Sequence, residues 1–290
     1  MSFWIVTDVG SDMSMDFYKR YDKLRVLPMI YRMDGQDKQY HVEDEPILND
    51  FYRKLRDGQQ ASTAAVPVDA ATALFEEIVK QDEQVLYITL SSGISGSFQS
   101  GELGAKIVKE KYPQAKISVV DSLMASGGQM LMVHYALKLR DEGKNMKEVV
   151  TWLTDNRQRF NAWFTVDDLN HLFRGGRVSR SSAFIGSMLR IKPIMHVNHE
   201  GKLIPLYKTQ GRKRSLKELA EKTIELINPK AGQPIFFSHG DCEEDIQYLA
   251  GLVKKGLPEN AGFEFFTLGP IIGAHAGPGT IAIFFLADQR

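Results

Sequence analysis

Three short apolar runs, Phe3 to Thr7, Val85 to Leu90 and Ile117 to Val120, are each closed by Asp, Ser or Gly and followed by helical periodicity. Runs that are apolar on both faces suit parallel strands buried under helices, so the rhythm predicts βαβ units. Ligands of such sheets bind beyond the carboxyl ends of the strands, which places Asp8, Ser91 to Ser95 and Asp121-Ser122 around one crevice. The richest of these turns is Ser91-Ser92-Gly93-Ile94-Ser95-Gly96-Ser97-Phe98-Gln99-Ser100, which leads into a helical stretch from Glu102. Glycines such as Gly93 and Gly96 let the backbone approach a ligand, hydroxyls such as those of Ser92 and Ser95 donate hydrogen bonds, and a helix start favours an anion. Neither GxxxxGK[ST] nor GxGxxG occurs in the loop, so the usual nucleotide-phosphate fingerprints are missing.

Asp69 to Lys80, Gly128 to Arg140 and Met146 to Phe160 read as helices, the last with Asn145 as its N-cap. Beyond residue 161 the pattern changes. It gives a strand from Trp163 to Val166, a helix from Ser182 to Arg190, and a hairpin of Ile194 to Val197 with Leu203 to Tyr207 around His199-Glu200-Gly201. A helix from Ser215 to Ile227, a strand from Pro234 to Phe237, a helix from Glu243 to Lys254, and strands from Phe263 to Leu268 and Thr280 to Leu286 follow. The expected fold class is α/β with two domains. Residues 1–160 carry a mainly parallel sheet and the serine-rich loop, residues 161–290 a mixed sheet, and the two share a ligand cleft.

Thirty-six basic residues offset thirty-six acidic ones, so no global field favours nucleic acid or an anionic membrane. The single cysteine, Cys242, cannot form an intramolecular disulfide, and Asp8 interrupts the first apolar run too early for a signal peptide. A cytoplasmic protein is expected. No apolar run approaches the ~18 residues that span a bilayer, which leaves peripheral contact as the only form of membrane association. Neither HExxH nor a Cys/His cluster is present, so no metal site is expected.

Gly269-Pro270-Ile271-Ile272-Gly273-Ala274-His275-Ala276-Gly277-Pro278-Gly279 places one histidine in a segment whose glycines and prolines fix the backbone between two apolar strands. His275 can donate to a carboxylate or phosphate, or be a turn histidine satisfied by carbonyls. His134, His196, His199 and His239 lack ligand spacing, and His134 falls in an apolar stretch that suits a core or boundary side chain. Ser62-Thr63 offers two hydroxyls before a helix, with capping as the competing use. Asp8, Asp12 and Asp121 can cap turns or bind a cation. Arg174-Gly175-Gly176-Arg177 and the cluster of Lys208, Arg212, Lys213 and Arg214 suit a solvated face or protein docking better than nucleic acid, since aromatic interleaving is missing. A serine hydrolase is disfavoured, because Gly93-Ile94-Ser95-Gly96-Ser97 lacks the last glycine of GxSxG.

Thr7-Asp8 with Ser11-Asp12, the Leu90 to Ser100 loop, Asp168-Leu169 leading to Gly175-Gly176-Arg177, Ile191-Lys192-Pro193-Ile194 and the Gly269 to Gly279 segment together resemble, in order, the DegV family of bacterial fatty-acid-binding proteins. The resemblance runs nearly end to end. It implies a two-domain α/β carrier, not an enzyme, that holds one long-chain fatty acid in a buried tunnel of the 161–290 half with the carboxylate near the cleft. It further implies presentation of that carboxylate to a separate fatty acid kinase, which makes an acyl phosphate from ATP. By the same resemblance Ser95, Ser62, Thr63 and His275 bind the carboxylate, with Arg177 nearby or facing the kinase, and no cofactor or catalytic residue belongs to the carrier itself. The family often has Thr-Ser-Gln where this chain has Ser62-Thr63-Ala64, so the hydroxyl order is exchanged and either hydroxyl can be the contact. Ile94, Phe98, Phe164, Phe184, Ile185, Met188, Leu189 and Ile271 neighbour the motifs and are tunnel-wall candidates, with ordinary core packing the preferred reading for any single one of them.

Two other functions fit the residues. One is an enzyme acting on a small phosphorylated or carboxylated substrate in the same cleft. The other is a regulatory protein docking through the two basic patches.

Overall fold

The computed structural model describes residues 3–179, 191–227, 233–258 and 261–290. The helix expected over Ser182 to Arg190, with the wall candidates Phe184, Ile185, Met188 and Leu189, lies outside the described residues.

The first part of the chain forms strands β1 (Trp4–Asp8), β2 (Leu24–Leu27), β3 (Met29–Met33), β4 (Gln36–Tyr40), β5 (Ala61–Thr63), β6 (Val85–Thr89) and β7 (Ile117–Asp121). Its helices are α1 (Met15–Tyr18), α2 (Leu48–Arg56), α3 (Val68–Val79), α4 (Ser97–Lys111), α5 (Gly127–Asp141) and α6 (Met146–Asn156). The rest forms strands β8 (Phe160–Thr165), β9 (Ile191–Val197), β10 (Leu203–Gln210), β11 (Ile235–His239), β12 (Phe263–Thr267) and β13 (Ile281–Leu286). Its described helices are α7 (Asn170–Arg174), α8 (Arg212–Leu226), α9 (Glu243–Lys255) and α10 (Pro270–Ala276).

The fold is α/β. Strands in the order β2-β1-β6-β7 make a wholly parallel sheet, and β10-β9-β8-β13-β11-β12 make a mixed one in which only β11 and β12 run parallel. Continuous apolar runs marked the buried strands because both faces are covered, and every residue of β6 and β13 is buried. Between the sheets lies α5, which packs on β1 and β6 of one and on β8, β11 and β13 of the other. It is buried from Gly127 through Val133, as a helix apolar all round should be. His134 sits partly buried on this helix against the rings of Phe17 and Phe236, at the boundary of the core, one of the two placements expected of it. Asn145 caps α6 through a reciprocal box with Glu148.

Three local expectations are corrected. The helix read as Met146 to Phe160 ends at Asn156, and Phe160 opens β8, where an apolar residue at a boundary fits either pattern. A small antiparallel sheet, β4-β3-β5, was not foreseen, and Ser62-Thr63 belongs to its edge instead of capping a helix: α3 begins after Pro67 with no side-chain cap. The Gly269 to Gly279 segment, read as a rigid turn, contains the helix α10, with Pro270 in its first turn, where a missing N–H costs nothing.

Arg290 ties four segments together. Its guanidinium donates to the carbonyls of Phe160 (2.9 Å), Arg157 (2.9 Å), Asn198 (2.8 Å) and Leu123 (3.4 Å), and burial beside Arg157 pulls it down to about 10. Arg290→Ala should therefore lower stability by about 2 kcal/mol in urea unfolding, since a buried carbonyl left without a donor costs ~1–3 kcal/mol. An unchanged midpoint would mean that water replaces the guanidinium completely.

Candidate functional site

The serine loop is built by hydrogen bonds that sort its residues into scaffold and surface. At its start the Leu90 N–H donates to Asp8 Oδ2 at 3.0 Å and the Ser91 N–H to the Met124 carbonyl at 2.9 Å. Ser91 Oγ donates to the Gly201 carbonyl of the β9–β10 turn at 2.9 Å, and Ser92 gives both its N–H and its hydroxyl to the Asp121 carboxylate. Ser92 is thus a structural residue of the loop. Gly93 is required by close approach, since a Cβ there would fall 2.6 Å from the Glu200 carbonyl oxygen. Gly96, by contrast, has an ordinary backbone conformation, and an added Cβ would meet only Ala65 at 3.5 Å.

Ser95 turns the other way, into a cavity lined by the serine loop, the small sheet, α10 and the mixed sheet. Its Oγ accepts the Ser97 N–H at 3.2 Å and lies 3.0 Å from Ser97 Oγ, which itself accepts the Val66 N–H. With Ser97 as donor of the hydroxyl pair, the Ser95 hydrogen is free to point into the cavity.

On the opposite wall, α10 presents His275. Its Nε2 lies 2.7 Å from Thr63 Oγ1, a contact between residues 212 positions apart. Its Nδ1 has no hydrogen-bond partner among the described residues and faces Gly175, where a Cβ would sit 2.2 Å away. Burial, with the Arg177 guanidinium nearby, pulls the imidazole down to about 4, so it is neutral at pH 7. Arg177 bridges the two walls: Nε donates to the Ile94 carbonyl at 3.1 Å and Nη1 to that of Gly175 at 2.5 Å. Burial pushes this guanidinium below its ordinary range.

Strand alternation separates the two candidate hydroxyls. Thr63 faces the cavity, whereas Ser62 is exposed and lines an outer polar depression with Arg32, His171, Arg174 and Arg177. Thr63, His275 and Arg177 border both spaces, so this group forms the wall between them. The structure therefore brings Ser95, Thr63, His275 and Arg177 to one place and leaves Ser62 outside it.

The cavity holds about 840 Å³ free of protein atoms, its open mouth included. Of the wall candidates Ile94, Phe164 and Ile271 line it and Phe98 does not, and Val197, Leu203 and Phe284 join from the C-terminal sheet. Those last three carried no sequence signal, because only tertiary packing brings them there. Asp8, Asp12 and Asp121 lie behind the site and do not line the cavity. No group of three or more His, Cys, Asp or Glu side chains among the described residues could hold a metal ion, and no described helix is long and apolar enough to cross a membrane.

An NMR pH titration of His275 in the unliganded protein should give a midpoint near 4. The ordinary imidazole value is ~6.5, and a midpoint above about 6 would mean that the ring is solvated and its contact with Thr63 is not held.

Known proteins match this chain over nearly its whole length. The DegV family model, described as that of an uncharacterised protein family, matches residues 2–288. A DegV domain-containing protein of Clostridium perfringens is 38% identical over 289 residues, covering 99% of this chain and 98% of its own. A crystal structure of a DegV lipid binding protein from Thermotoga maritima superposes with a TM-score of 0.86 at 27% identity, covering all of both chains. A crystal structure of DegV from Bacillus subtilis, described as a fatty acid binding protein, gives 0.84 at 26% identity over 99% of this chain and all of the other. With the match running from end to end, the chain belongs to the DegV family.

Proposed function

We propose that this protein is a non-enzymatic carrier, acting in the cytoplasm, that binds one long-chain fatty acid in the cavity and presents its carboxylate to a fatty acid kinase for acyl-phosphate formation. The observation that carries the proposal is the convergence of Ser95, Thr63 and His275 at the polar end of an otherwise largely apolar cavity. Fatty acid binding by the Bacillus subtilis relative supports it.

The energetics fit a carrier. About fourteen buried methylenes at ~0.8 kcal/mol each give on the order of 11 kcal/mol before binding costs, so the tail sets affinity. A charge-assisted hydrogen bond adds roughly 1.5–3 kcal/mol, enough to orient the headgroup. The carboxylate accepts from the Ser95 hydroxyl and from the Thr63–His275 pair. Arg177 and the outer depression behind that pair, with Ser62 and Arg174, form the face turned to the kinase. A carboxylate beside His275 favours the imidazolium, so binding raises the pKa of the ring.

The 2.7 Å contact of Thr63 with His275 has the spacing of a nucleophile and its base. Nδ1, however, meets Gly175 where a triad would place an orienting acid.

Native mass spectrometry of the purified protein, with extraction and identification of any adduct, tests the cargo. A stoichiometric long-chain fatty acid is expected; an unliganded mass unchanged by added fatty acid would sink the carrier reading. Thr63→Val should weaken fatty acid binding by tenfold or more, the equivalent of one such hydrogen bond at roughly 1.5–3 kcal/mol, and Ser62→Ala should change it little. The reverse ranking would move the headgroup into the outer depression. With the kinase and ATP present, Arg177→Ala should slow acyl-phosphate formation more than it weakens lipid binding. The opposite ranking would make Arg177 a headgroup ligand.

A further inference from the structure

The paired motif Thr7-Asp8 and Ser11-Asp12 lines no part of the cavity, yet both carboxyl groups are buried. Asp8 is spent on the serine-loop side, where Oδ2 accepts the Leu90 N–H (3.0 Å) and the Tyr87 hydroxyl (2.9 Å) and Oδ1 accepts the Gly10 N–H (3.0 Å). A single 3-10 turn, Val9–Ser11, follows, and Asp12 closes it with φ 54°, a left-handed conformation that Asp tolerates better than most residues. That turn aims the second carboxyl at the other half of the molecule. Asp12 Oδ1 accepts the Gly269 N–H at 2.8 Å, immediately before α10. The approach is close, since a Cβ on Gly269 would lie 2.8 Å from the Tyr40 ring and 3.2 Å from Asp12 Oδ1. The Gly10 carbonyl between the two carboxyls accepts the N–H of Ser126, which lines the cavity. Five residues thus hold both the serine loop and the start of α10.

We propose that Asp12 is a positioning residue of the headgroup site: by accepting the Gly269 N–H it sets the start of α10, and with it the Thr63–His275 hydrogen bond, against the serine loop that Asp8 holds. This rests on the carboxylate-binding role proposed above. The lever arm is short but sufficient. Six residues at ~1.5 Å rise put His275 about 9 Å along the helix from Gly269, so a tilt of about 6° at the start moves the ring by about 1 Å. A displacement of that size breaks a 2.7 Å contact. Burial pushes the Asp12 carboxyl up to about 8, which makes it a neutral acid at pH 7 and asparagine its faithful mimic.

The test compares affinity for a fatty acid with affinity for its methyl ester of the same chain length, a ratio that a general loss of stability leaves unchanged. In the wild type the acid should bind more tightly. Asp12→Ala should cut the acid-to-ester ratio by about tenfold, the scale of one headgroup hydrogen bond, with ester affinity nearly unchanged. Asp12→Asn, which keeps the acceptor, should retain the ratio. If the alanine variant does not fold, Asp12→Gly, which adopts the positive φ without strain and carries no acceptor, should behave as predicted for alanine. A folded Ala or Gly variant with the wild-type ratio, an equal loss of acid and ester binding, or an Asn variant as impaired as Ala would each overturn the proposal. A wild type that binds acid and ester alike would instead sink the carboxylate site itself, and the role of Asp12 with it.

Discussion

A seven-residue helix from the C-terminal part of the chain lies on the small sheet of the N-terminal part, and the arrangement of polar groups at the cavity depends on its staying there. Isolated helices shorter than ~12 residues are marginal in water, so α10 owes its structure to what surrounds it. Tyr52 donates to the Leu268 carbonyl at 2.8 Å, and Gly273 packs so tightly on the same tyrosine that a Cβ would lie 2.7 Å from its hydroxyl. At the other end Thr280 Oγ1 contacts the carbonyls of Ala276 and Gly277. The helix is clamped at its start, its middle and its end, and His275 occupies the last turn of a rigid piece.

Rigidity matters because the polar groups of the cavity are engaged before any ligand arrives. Ser95 is held by Ser97, Thr63 by His275, and Arg177 by two carbonyls. A headgroup entering such a site meets donors that need little reorganisation, which lowers the ordering cost of binding. The apolar wall requires no comparable precision, since hydrophobic burial is non-directional. One end of the cavity can therefore specify chemistry while the rest contributes affinity.

Sheet class and the positions of strands buried on both faces were legible because such burial leaves continuous apolar runs, as in Val85 to Leu90 and Thr280 to Leu286, whereas β2 to β5 went unread. The serine loop was legible as the turn that follows a buried strand, but not which of its serines face the cavity: Ser92 and Ser95 look alike until Asp121, 29 positions away from Ser92, claims the first. Ser62 and Thr63 became distinguishable only through strand β5, whose three residues are too few to leave a periodic signal. The α10 helix was hidden by its glycines and prolines, which usually break helices; here Pro270 occupies the first turn, and Gly273 is accommodated because Tyr52 presses against it. Val197, Leu203 and Phe284 could not have been singled out, since a wall residue and a core residue have the same composition.

Charge near the site is unbalanced in a way that the neutral composition of the chain conceals. Arg177 gives Nε and Nη1 to carbonyl oxygens, Arg174 contacts His171, and no Asp or Glu is among the described residues lining the cavity. A half-buried guanidinium without a carboxylate partner favours an anion beside it, and Nη2 of Arg177 makes no hydrogen bond among the described residues. The histidine points the same way. A general base works best with a pKa near the operating pH, whereas His275 is held near 4. At neutral pH the ring is a weak proton acceptor, poorly suited to activating Thr63, but a carboxylate placed against it strengthens its hold on a proton. The Arg177 charge that helps to make it a poor base also makes an arriving carboxylate a good partner, and this supports a carrier over a hydrolytic enzyme.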